Sequence, residues 1–293
     1  MKQSGEGLVI KHYSGFYYVA VGEEILECRS RGRLKKESVL SGDRVEITDL
    51  GNGQGVVETV LPRVSELARP PVANINTVIV VVAQNNPPPS LWLLDRLLVL
   101  ITFQGLKPIL ILNKADLDPV PDAGDLPKIY QACGYQVIKT STRDGEGLDD
   151  LIAAMQSRIS VLAGQSGVGK SSLLNQVCPG LTLKTGEVSK KIGRGRHTTR
   201  HTELFPVPGG GWVADTPGFS VLDLPEGIDR EGLLVGFPEI AAHREQCRFK
   251  DCRHDQEPVC AVKEALSEGH IALSRYEHYL QLMKELQERE RRY

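Results

Sequence analysis

The chain has 293 residues and a formal net charge of -2, with 41% hydrophobic and 25% charged residues. This length suggests more than one domain, and the composition excludes a globally disordered chain. The apolar runs are too short or too charged to span a bilayer, and the first residues show no signal-peptide pattern. We therefore expect a cytoplasmic protein with no membrane partner, whose six cysteines are thiols or metal ligands rather than disulfides.

Residues 1–68 carry short alternating segments rich in Val and aromatic residues, such as GLVIKHYSGFYYVAV. Turn-forming residues separate these segments at intervals of about 8–12 residues. This pattern predicts an OB-like β-barrel of about five strands, with an SH3-like barrel as the alternative. Because OB folds often bind oligonucleotides, we expect residues 1–68 to form an RNA-binding domain. The proline-containing segment ARPPVANIN, residues 68–76, predicts a linker.

Strand and helix patterns alternate through residues 69–224, with buried strands VIVVVA, PILIL and ISVLAG. This alternation predicts an α/β domain with a mostly parallel sheet covered on both faces. Residues 225–293 predict a third, mostly helical domain with a Cys/His cluster. Its last helix has an apolar stripe at three- and four-residue spacing, formed by Ile271, Leu273, Tyr276, Leu280, Met283 and Leu286.

A phosphate-binding loop is predicted where GQSGVGKS, residues 164–171, matches G-x-x-x-x-G-K-[ST] between a strand and a helix. The glycines allow backbone N–H groups to face phosphate oxygens. Lys170 can reach the β- and γ-phosphates, and Ser171 can offer its hydroxyl to Mg²⁺. The predicted phosphate-binding residues are Gly164, Gln165, Ser166, Gly167, Val168, Gly169, Lys170, Ser171 and Ser172.

Three further segments predict that the nucleotide is GTP. The DTPG segment places Asp215 where its carboxylate can hold Mg²⁺ through water and Gly218 where its N–H can meet the γ-phosphate. The carboxylate of Asp116 can accept two N–H bonds from a guanine edge, which adenine does not offer. The predicted guanine-binding residues are Asn113, Lys114, Ala115 and Asp116, together with Ser141 and Thr142 of an STR segment that resembles the S-A-K guanine loop.

The order of these motifs is circularly permuted relative to a Ras-like GTPase, because NKAD and STR precede the phosphate loop. Such a fold can form because chain termini usually lie at the surface and often close together. DTPG then leads directly into the C-terminal region. We hypothesise that contacts with the γ-phosphate reposition the Cys/His domain, as nucleotide switches do elsewhere.

The basic segment GEVSKKIGRGRHTTR, residues 186–200, is the predicted switch loop. Thr198 or Thr199 can supply a second Mg²⁺ hydroxyl, and we favour Thr199. Phe219 lies where Ras-like enzymes place a water-orienting Gln, so another group must orient the water. His197 is the catalytic candidate; a solvent-exposed or RNA-contacting histidine is the alternative.

The compact pattern Cys-x4-Cys-x-His-x5-Cys near the C-terminus predicts one structural zinc site. Three thiolates and an imidazole suit tetrahedral Zn²⁺, and no fifth ligand is evident. The predicted ligands are Cys247, Cys252, His254 and Cys260.

Two basic clusters predict an RNA partner, since basic loops supply phosphate contacts. The first lies in a loop of the β domain and contains Arg29, Arg31, Arg33, Lys35 and Lys36. The second lies in or near the switch loop and contains Lys184, Lys190, Lys191, Arg194, Arg196 and Arg200.

Taken together, the motifs resemble the RsgA (YjeQ) family of small ribosomal subunit biogenesis GTPases over nearly the whole chain. The resemblance is carried by the β-barrel pattern, SELARPPVANIN, NKAD, GQSGVGKSSLLN, GRHTTR, DTPGF and the Cys/His knuckle. It implies an OB domain, a permuted GTPase domain and a zinc domain, with GTP/GDP, Mg²⁺ and one Zn²⁺ as cofactors. It also implies binding to the small subunit and its rRNA, with slow GTP hydrolysis stimulated by that subunit. We expect the chain to be a monomer.

Two other functions compete with this interpretation. In the first, the chain is a nucleotide-gated RNA-binding factor, and hydrolysis only resets binding. In the second, it is a permuted GTPase of the large subunit, which the N-terminal β domain and C-terminal zinc cluster together disfavour. The guanine loop departs from the family pattern, because it reads STR rather than SAK.

Overall fold

The N-terminal segment closes into a five-stranded barrel. The computed structural model describes residues 3–31, 39–68, 71–121, 124–178, 181, 202–215 and 223–291. The barrel strands are β1 (Gln3–Tyr13), β2 (Phe16–Val21), β3 (Glu24–Ser30), β4 (Arg44–Gly51) and β5 (Gln54–Val60). Their order is β1-β2-β3-β5-β4, and β1 pairs antiparallel with both β2 and β4. This closed barrel confirms the OB-like expectation.

The barrel core follows the alternation in the sequence. Val9, Val19, Val45 and Val57 are fully buried, and β-branched residues on one face of each strand suit such a core. Because successive side chains point to opposite faces of a strand, Arg44 and Glu46, on either side of Val45, are exposed.

Within the described residues, part of the segment 68–76, predicted as a linker, takes part in regular structure. Glu66–Ala68 (β6) and Pro71–Ala73 (β7) form an antiparallel two-stranded ribbon. Val72 is fully buried. The Asn74 side-chain amide donates to the Gly42 carbonyl of the barrel at 2.8 Å. Pro71 disfavours a helix, and as the first residue of β7 it fits a short two-stranded ribbon, where few ladder hydrogen bonds are needed.

A six-stranded sheet follows, with strand order β10-β9-β8-β11-β13-β12. Its strands are β8 (Thr77–Ala83), β9 (Lys107–Asn113), β10 (Gln136–Thr140), β11 (Ile159–Ala163), β12 (Glu203–Val207) and β13 (Gly211–Asp215). β9 runs parallel to β10, and β11 runs parallel to β13. β12 is antiparallel to β13, to which a tight turn joins it. All residues of β8 and β11 are buried, as expected for continuous apolar strands.

Eight helices are assigned within the described ranges. They are α1 (Leu91–Phe103), α2 (Leu126–Ala132), α3 (Leu148–Met155), α4 (Lys170–Val177), α5 (Arg230–Leu234), α6 (Pro238–Arg244), α7 (Ala261–Ser267) and α8 (Leu273–Glu290). None of the helices in the described ranges combines the length and the apolar character needed to cross a membrane.

The chain divides into two compact units, each made of two separate segments. One comprises Met1–Val78 and Leu148–Ser220, and the other comprises Ile79–Gly147 and Val221–Tyr293. The first unit therefore contains the barrel and the 164–171 loop. The second contains the NKAD segment and the C-terminal helices.

The last helix packs largely as its apolar spacing predicts. Ile271, Tyr276, Met283 and Leu286 are buried. Leu273, at the first position of α8, belongs to the apolar stripe by its spacing, but it is 60% exposed. The start of a helix projects beyond the packed turns, so spacing alone does not bury its first residue.

Candidate nucleotide and metal sites

The loop at residues 164–169 joins a buried strand to a helix. β11 ends at Ala163, and α4 begins at Lys170. Gly164, Gly167 and Gly169 have φ values of 132°, 84° and 99°, a region that side chains disfavour. Gly169 is the N-cap of α4 and has no side chain to bond the first amides. A helix N-terminus with such a glycine-rich approach is suited to binding phosphate.

Lys170 lies over this loop. Its ammonium donates to the carbonyl oxygens of Gly164 and Gln165, both at 2.8 Å. Burial lowers the pKa of Lys170 from its usual value. The same donors can turn to phosphate oxygens, which carry a stronger negative charge than carbonyl groups. Ser171 and Ser172 follow in the first turn of α4 and are half-buried.

The DTPG segment begins at the end of β13. Asp215 is the last residue of that strand, and its backbone lies opposite Glu203 of β12. Gly218 lies outside the described residues, as do His197, Thr199 and all six basic residues of the switch-loop cluster. Their assignments from the sequence stay predictions.

The NKAD and STR segments come together in the second compact unit. Asn113 is fully buried at the end of β9, and its side-chain oxygen accepts a hydrogen bond from Thr140 at 3.0 Å. The Ala115 amide donates to the Thr140 carbonyl at 3.0 Å. The Ser141 hydroxyl donates to Oδ1 of Asp116 at 2.9 Å. These bonds orient the Asp116 carboxylate.

Other groups surround the same carboxylate. The guanidinium of Arg143 is 3.9 Å from Oδ2 of Asp116, and its side chain is 81% exposed. Thr142 is half-buried between Ser141 and Arg143. The Lys114 ammonium donates to the Asn86 carbonyl. An oriented carboxylate beside β9 and β10 has the chemistry needed to accept the N–H groups of guanine.

The four residues of the Cys/His pattern converge in space. Their ligand atoms all lie within 4.8 Å of one another. Nδ1 of His254 is 3.5 Å from the sulfur atoms of both Cys247 and Cys260, and those two sulfurs are 3.9 Å apart. Cys252, His254 and Cys260 are buried, and Cys247 is half-buried.

These distances fit a tetrahedral metal ion. Zn–S and Zn–N bonds of ordinary length give edges of about 3.8 Å between sulfurs and about 3.5 Å from sulfur to nitrogen. Burial, followed by the nearby Arg230 cation, lowers the pKa of His254 to about 4, so its imidazole is neutral at pH 7. Burial raises the pKa of Cys252 to about 12. A divalent cation would offset that cost by stabilising thiolates.

Neighbouring groups hold the cluster in place. The Tyr276 hydroxyl of α8 donates to the His254 carbonyl at 2.5 Å. An Arg230 nitrogen on α5 lies 3.1 Å from Nε2 of His254, and the same guanidinium donates to the Cys252 carbonyl. The bonds to the Cys252 and His254 carbonyl groups hold the backbone that carries two of the four ligands.

Sequence patterns do not reveal a buried ionic cluster beside α1. Asp95 and Arg275 are both fully buried, with the Arg275 guanidinium donating to the Asp95 carboxylate at 2.7 Å. Glu239 accepts a second bond from Arg275 at 2.8 Å. Tyr130 and His278 also bond to Asp95. The only signal in the sequence is that Asp95 and Arg275 lie at the helical spacing of apolar neighbours. Charged residues on a helix ordinarily face solvent, so this signal does not predict a buried cluster.

Comparison with known sequences gives a consistent family. A model of the RsgA GTPase family matches residues 60–225, and a model of the RsgA N-terminal domain matches residues 6–57. The small ribosomal subunit biogenesis GTPase RsgA of Moorella thermoacetica is 51% identical, with 98% of this chain and 99% of the relative covered. The protein of the same name from Carboxydothermus hydrogenoformans is 48% identical, with 98% and 99% covered.

Solved structures show the same architecture. YjeQ from Thermotoga maritima superposes with a TM-score of 0.79 at 38% identity, covering 97% of this chain and 99% of that chain. YloQ, described as a circularly permuted GTPase, superposes with a TM-score of 0.80 at 38% identity, covering 98% and 96%. These likenesses confirm a barrel, a permuted GTPase domain and a helical C-terminal region.

Proposed function

Because this chain belongs to the RsgA GTPase family, and is therefore a GTP-hydrolysing enzyme, we propose that it assists late maturation of the small ribosomal subunit. It binds the rRNA of that subunit and hydrolyses GTP to GDP and phosphate, and the subunit stimulates hydrolysis. The relatives from Moorella and Carboxydothermus carry the name of this role. A partner of this kind places the protein in the cytoplasm, where we propose that it acts as a monomer.

The geometry of the phosphate loop is the main observation that supports GTP binding and hydrolysis. Residues 164–172 bind the phosphates, and Lys170 exchanges its loop carbonyl partners for phosphate oxygens. Asp116, oriented by Ser141, accepts the guanine N–H groups. Ser171, Thr199 and Asp215 are the proposed groups that would hold Mg²⁺, which neutralises charge on the transferred phosphoryl group when bound.

Three segments, at residues 1–68, 69–224 and 225–293, serve as the rRNA-binding, GTPase and zinc domains in this proposal. The exposed Arg29 guanidinium lies 4.7 Å from the centre of the Phe16 ring on the barrel surface. A cation held over an aromatic ring offers both charge and a stacking surface to a nucleic acid. Cys247, Cys252, His254 and Cys260 would hold one structural Zn²⁺ ion, whose bonds stabilise the short C-terminal segment.

The experiment measures GTP hydrolysis with no ribosomes, with small subunits and with large subunits. We expect stimulation by small subunits alone. A Lys170→Ala chain should lose about a hundredfold or more of the stimulated rate, because it lacks a charge aimed at the transferred phosphoryl group. His197→Ala, assayed with small subunits, tests the proposed water-orienting group, and an unchanged turnover would remove it.

Each alternative has its own signature in this assay. GTP-dependent binding to small subunits with negligible turnover would favour the nucleotide-gated RNA-binding factor. Stimulation by large subunits alone would overturn the proposed partner and leave the GTP site intact. An active Lys170→Ala chain would contradict the assignment of the phosphate loop.

A further inference from the structure

A turn of the barrel, residues 40–43, is held rigidly within the first compact unit. The Asp43 carboxylate is fully buried and accepts the Leu40 amide at 2.7 Å. Both of its oxygens also accept bonds from the Arg63 guanidinium, at 2.7 and 2.8 Å. Gly42 has φ of 93°, and a β-carbon there would lie 2.1 Å from the Ala73 carbonyl oxygen. The turn therefore has little freedom to move.

This turn and strand β1 hold the beginning of β12. The Ser41 hydroxyl is fully buried and donates to the Thr202 carbonyl, and Thr202 itself is 5% exposed. One residue later, the Glu203 carboxylate accepts from the Lys11 ammonium at 2.9 Å. Two side chains of the barrel thus fix two consecutive residues at the point where β12 begins.

The fixed residues lie beside the proposed Mg²⁺ site. Glu203 is the register partner of Asp215, the residue with which the DTPG segment begins. Thr199, proposed to supply the second hydroxyl, precedes Thr202 by only three residues in the sequence. The barrel therefore bonds to the end of the β12–β13 pair that contains Glu203 and Asp215. The two proposed Mg²⁺-binding segments, with Thr199 and Asp215, adjoin this end in the sequence.

We propose that Lys11 and Ser41 of the barrel, acting through Glu203 and Thr202, are positioning residues for Mg²⁺-dependent GTP hydrolysis. They hold the end of the β12–β13 pair so that Asp215 stays in register. The barrel is then part of the hydrolytic machinery, in addition to its proposed contact with rRNA. This inference rests on the proposed assignment of Asp215 and Thr199 to Mg²⁺.

The test measures the Mg²⁺ concentration that gives half-maximal GTP hydrolysis, without ribosomes. In Lys11→Met and in Glu203→Gln this concentration should rise about twofold to fivefold, since a partly exposed ion pair contributes at most a factor of this size. The affinity for GDP in EDTA should not change, because the phosphate loop and Asp116 remain intact. In the double variant the two shifts should not add, as expected for residues that act through one bond.

The matched control removes a different ion pair of the same barrel. Arg31 and Glu58 pair at 3.0 Å, and neither residue bonds to β12 in the described residues. Glu58→Gln should keep the Mg²⁺ concentration of the wild type. Ser41→Ala removes the buried bond to Thr202 and should shift Mg²⁺ dependence in the same direction as Lys11→Met, with thermal unfolding measured in parallel.

Two results would overturn the inference. One is an unchanged Mg²⁺ dependence in the Lys11 and Glu203 variants. The other is an equal loss of GDP affinity in EDTA, which would indicate general damage to the fold. Lys170→Ala separates this failure from failure of the proposed GTP site. If the wild type hydrolyses GTP and Lys170→Ala does not, the GTP site holds even when the positioning role fails.

Discussion

His254 links the Cys/His cluster to the surrounding helices. Its Nδ1 faces two cysteine sulfurs, its Nε2 faces Arg230, and its carbonyl accepts from Tyr276. Its φ of 64° is left-handed, which costs energy for a residue with a side chain. A metal ion bound by Nδ1 and the cysteine sulfurs would offset this energetic cost, because the conformation directs the ring at those sulfurs.

Loss of one ligand should abolish metal binding. We expect wild-type protein to hold about one Zn²⁺ per chain, and Cys260→Ser to hold almost none, because three remaining ligands leave the site open. The Cys260→Ser chain should also unfold at a lower temperature. Metal released by denaturation, measured with a zinc-binding dye, gives the stoichiometry.

Cys178→Ser is the matched control, since Cys178 is also buried but lies outside the cluster. It should retain the metal. Equal zinc contents in the two variants would contradict the assignment. Zinc affinity should fall as the pH is lowered, because the ligands bind as thiolates and neutral imidazole.

Helix α8 is joined to α1 by side chains spaced along its length. Arg275 bonds to Asp95 near the start of α8, and Glu285 bonds to Arg96 three turns later. Near its end, Arg289 donates to the carbonyls of Leu224 and Pro225, at 2.8 and 2.9 Å. A helix with such bonds along its length is expected to move as one piece, since tight packing opposes gradual deformation.

The Arg96–Glu285 bond predicts a pH-dependent contribution to stability. The hydrogen bond from Arg96 lowers the pKa of Glu285, so the charged pair stabilises the fold at neutral pH. Because the folded pKa lies below the unfolded value of about 4.3, this contribution is present above that pH and is lost as the pH falls through the folded pKa. The Glu285 side chain is 41% exposed, so solvent screens the pair.

We expect Glu285→Gln to lower the free energy of unfolding by less than about 1 kcal/mol at pH 7. The difference from wild type should be smaller at about pH 3 than at pH 7, because the lowered pKa of Glu285 is approached as the pH falls. Urea unfolding at the two pH values measures it. Glu277→Gln, at an exposed position of the same helix, should show no such pH dependence. A difference that persists at low pH would show that the bond contributes by packing alone.

The DTPG segment continues directly into the region that α8 holds. Residues 223–225 follow it closely, and Arg289 binds two of their carbonyls. This connectivity results from the permuted order of the motifs, since in the unpermuted order the segment would lead on into the rest of the sheet. This connectivity is the basis of the hypothesis that a change at the γ-phosphate passes to the C-terminal helices through a short stretch of chain.

Hydrogen exchange should detect this coupling. With a non-hydrolysable GTP analogue, amides in residues 219–270 should exchange at rates different from those with GDP. The reason is that order in the DTPG segment depends on the γ-phosphate in nucleotide switches. The barrel core, for example Val45 and Val57, serves as the internal reference. Identical exchange in residues 219–270 with both nucleotides would contradict the coupling.

Local motifs were predictable because their chemistry depends on neighbouring residues along the chain. A phosphate loop needs glycines and a helix start within a few residues, so 164–171 could be recognised directly. The Cys/His pattern is equally compact, and its ligands do converge. The alternation of Val residues predicted the barrel for the same reason, since strand periodicity is local.

Long-range polar bonds could not be predicted in this way. The partner of Ser41 is Thr202, 161 residues away, and that of Arg275 is Asp95, 180 residues away. On the same helix, Arg275 is buried and Leu273 is exposed, which is the reverse of what apolar spacing predicts. Arg275 can be buried because the carboxylates of Asp95 and Glu239 compensate its charge. The chemistry of each motif thus follows from residues adjacent in sequence. The bonds that join the barrel to β12, and α8 to α1, depend on folding, because a polar group is buried only where the fold supplies its partner.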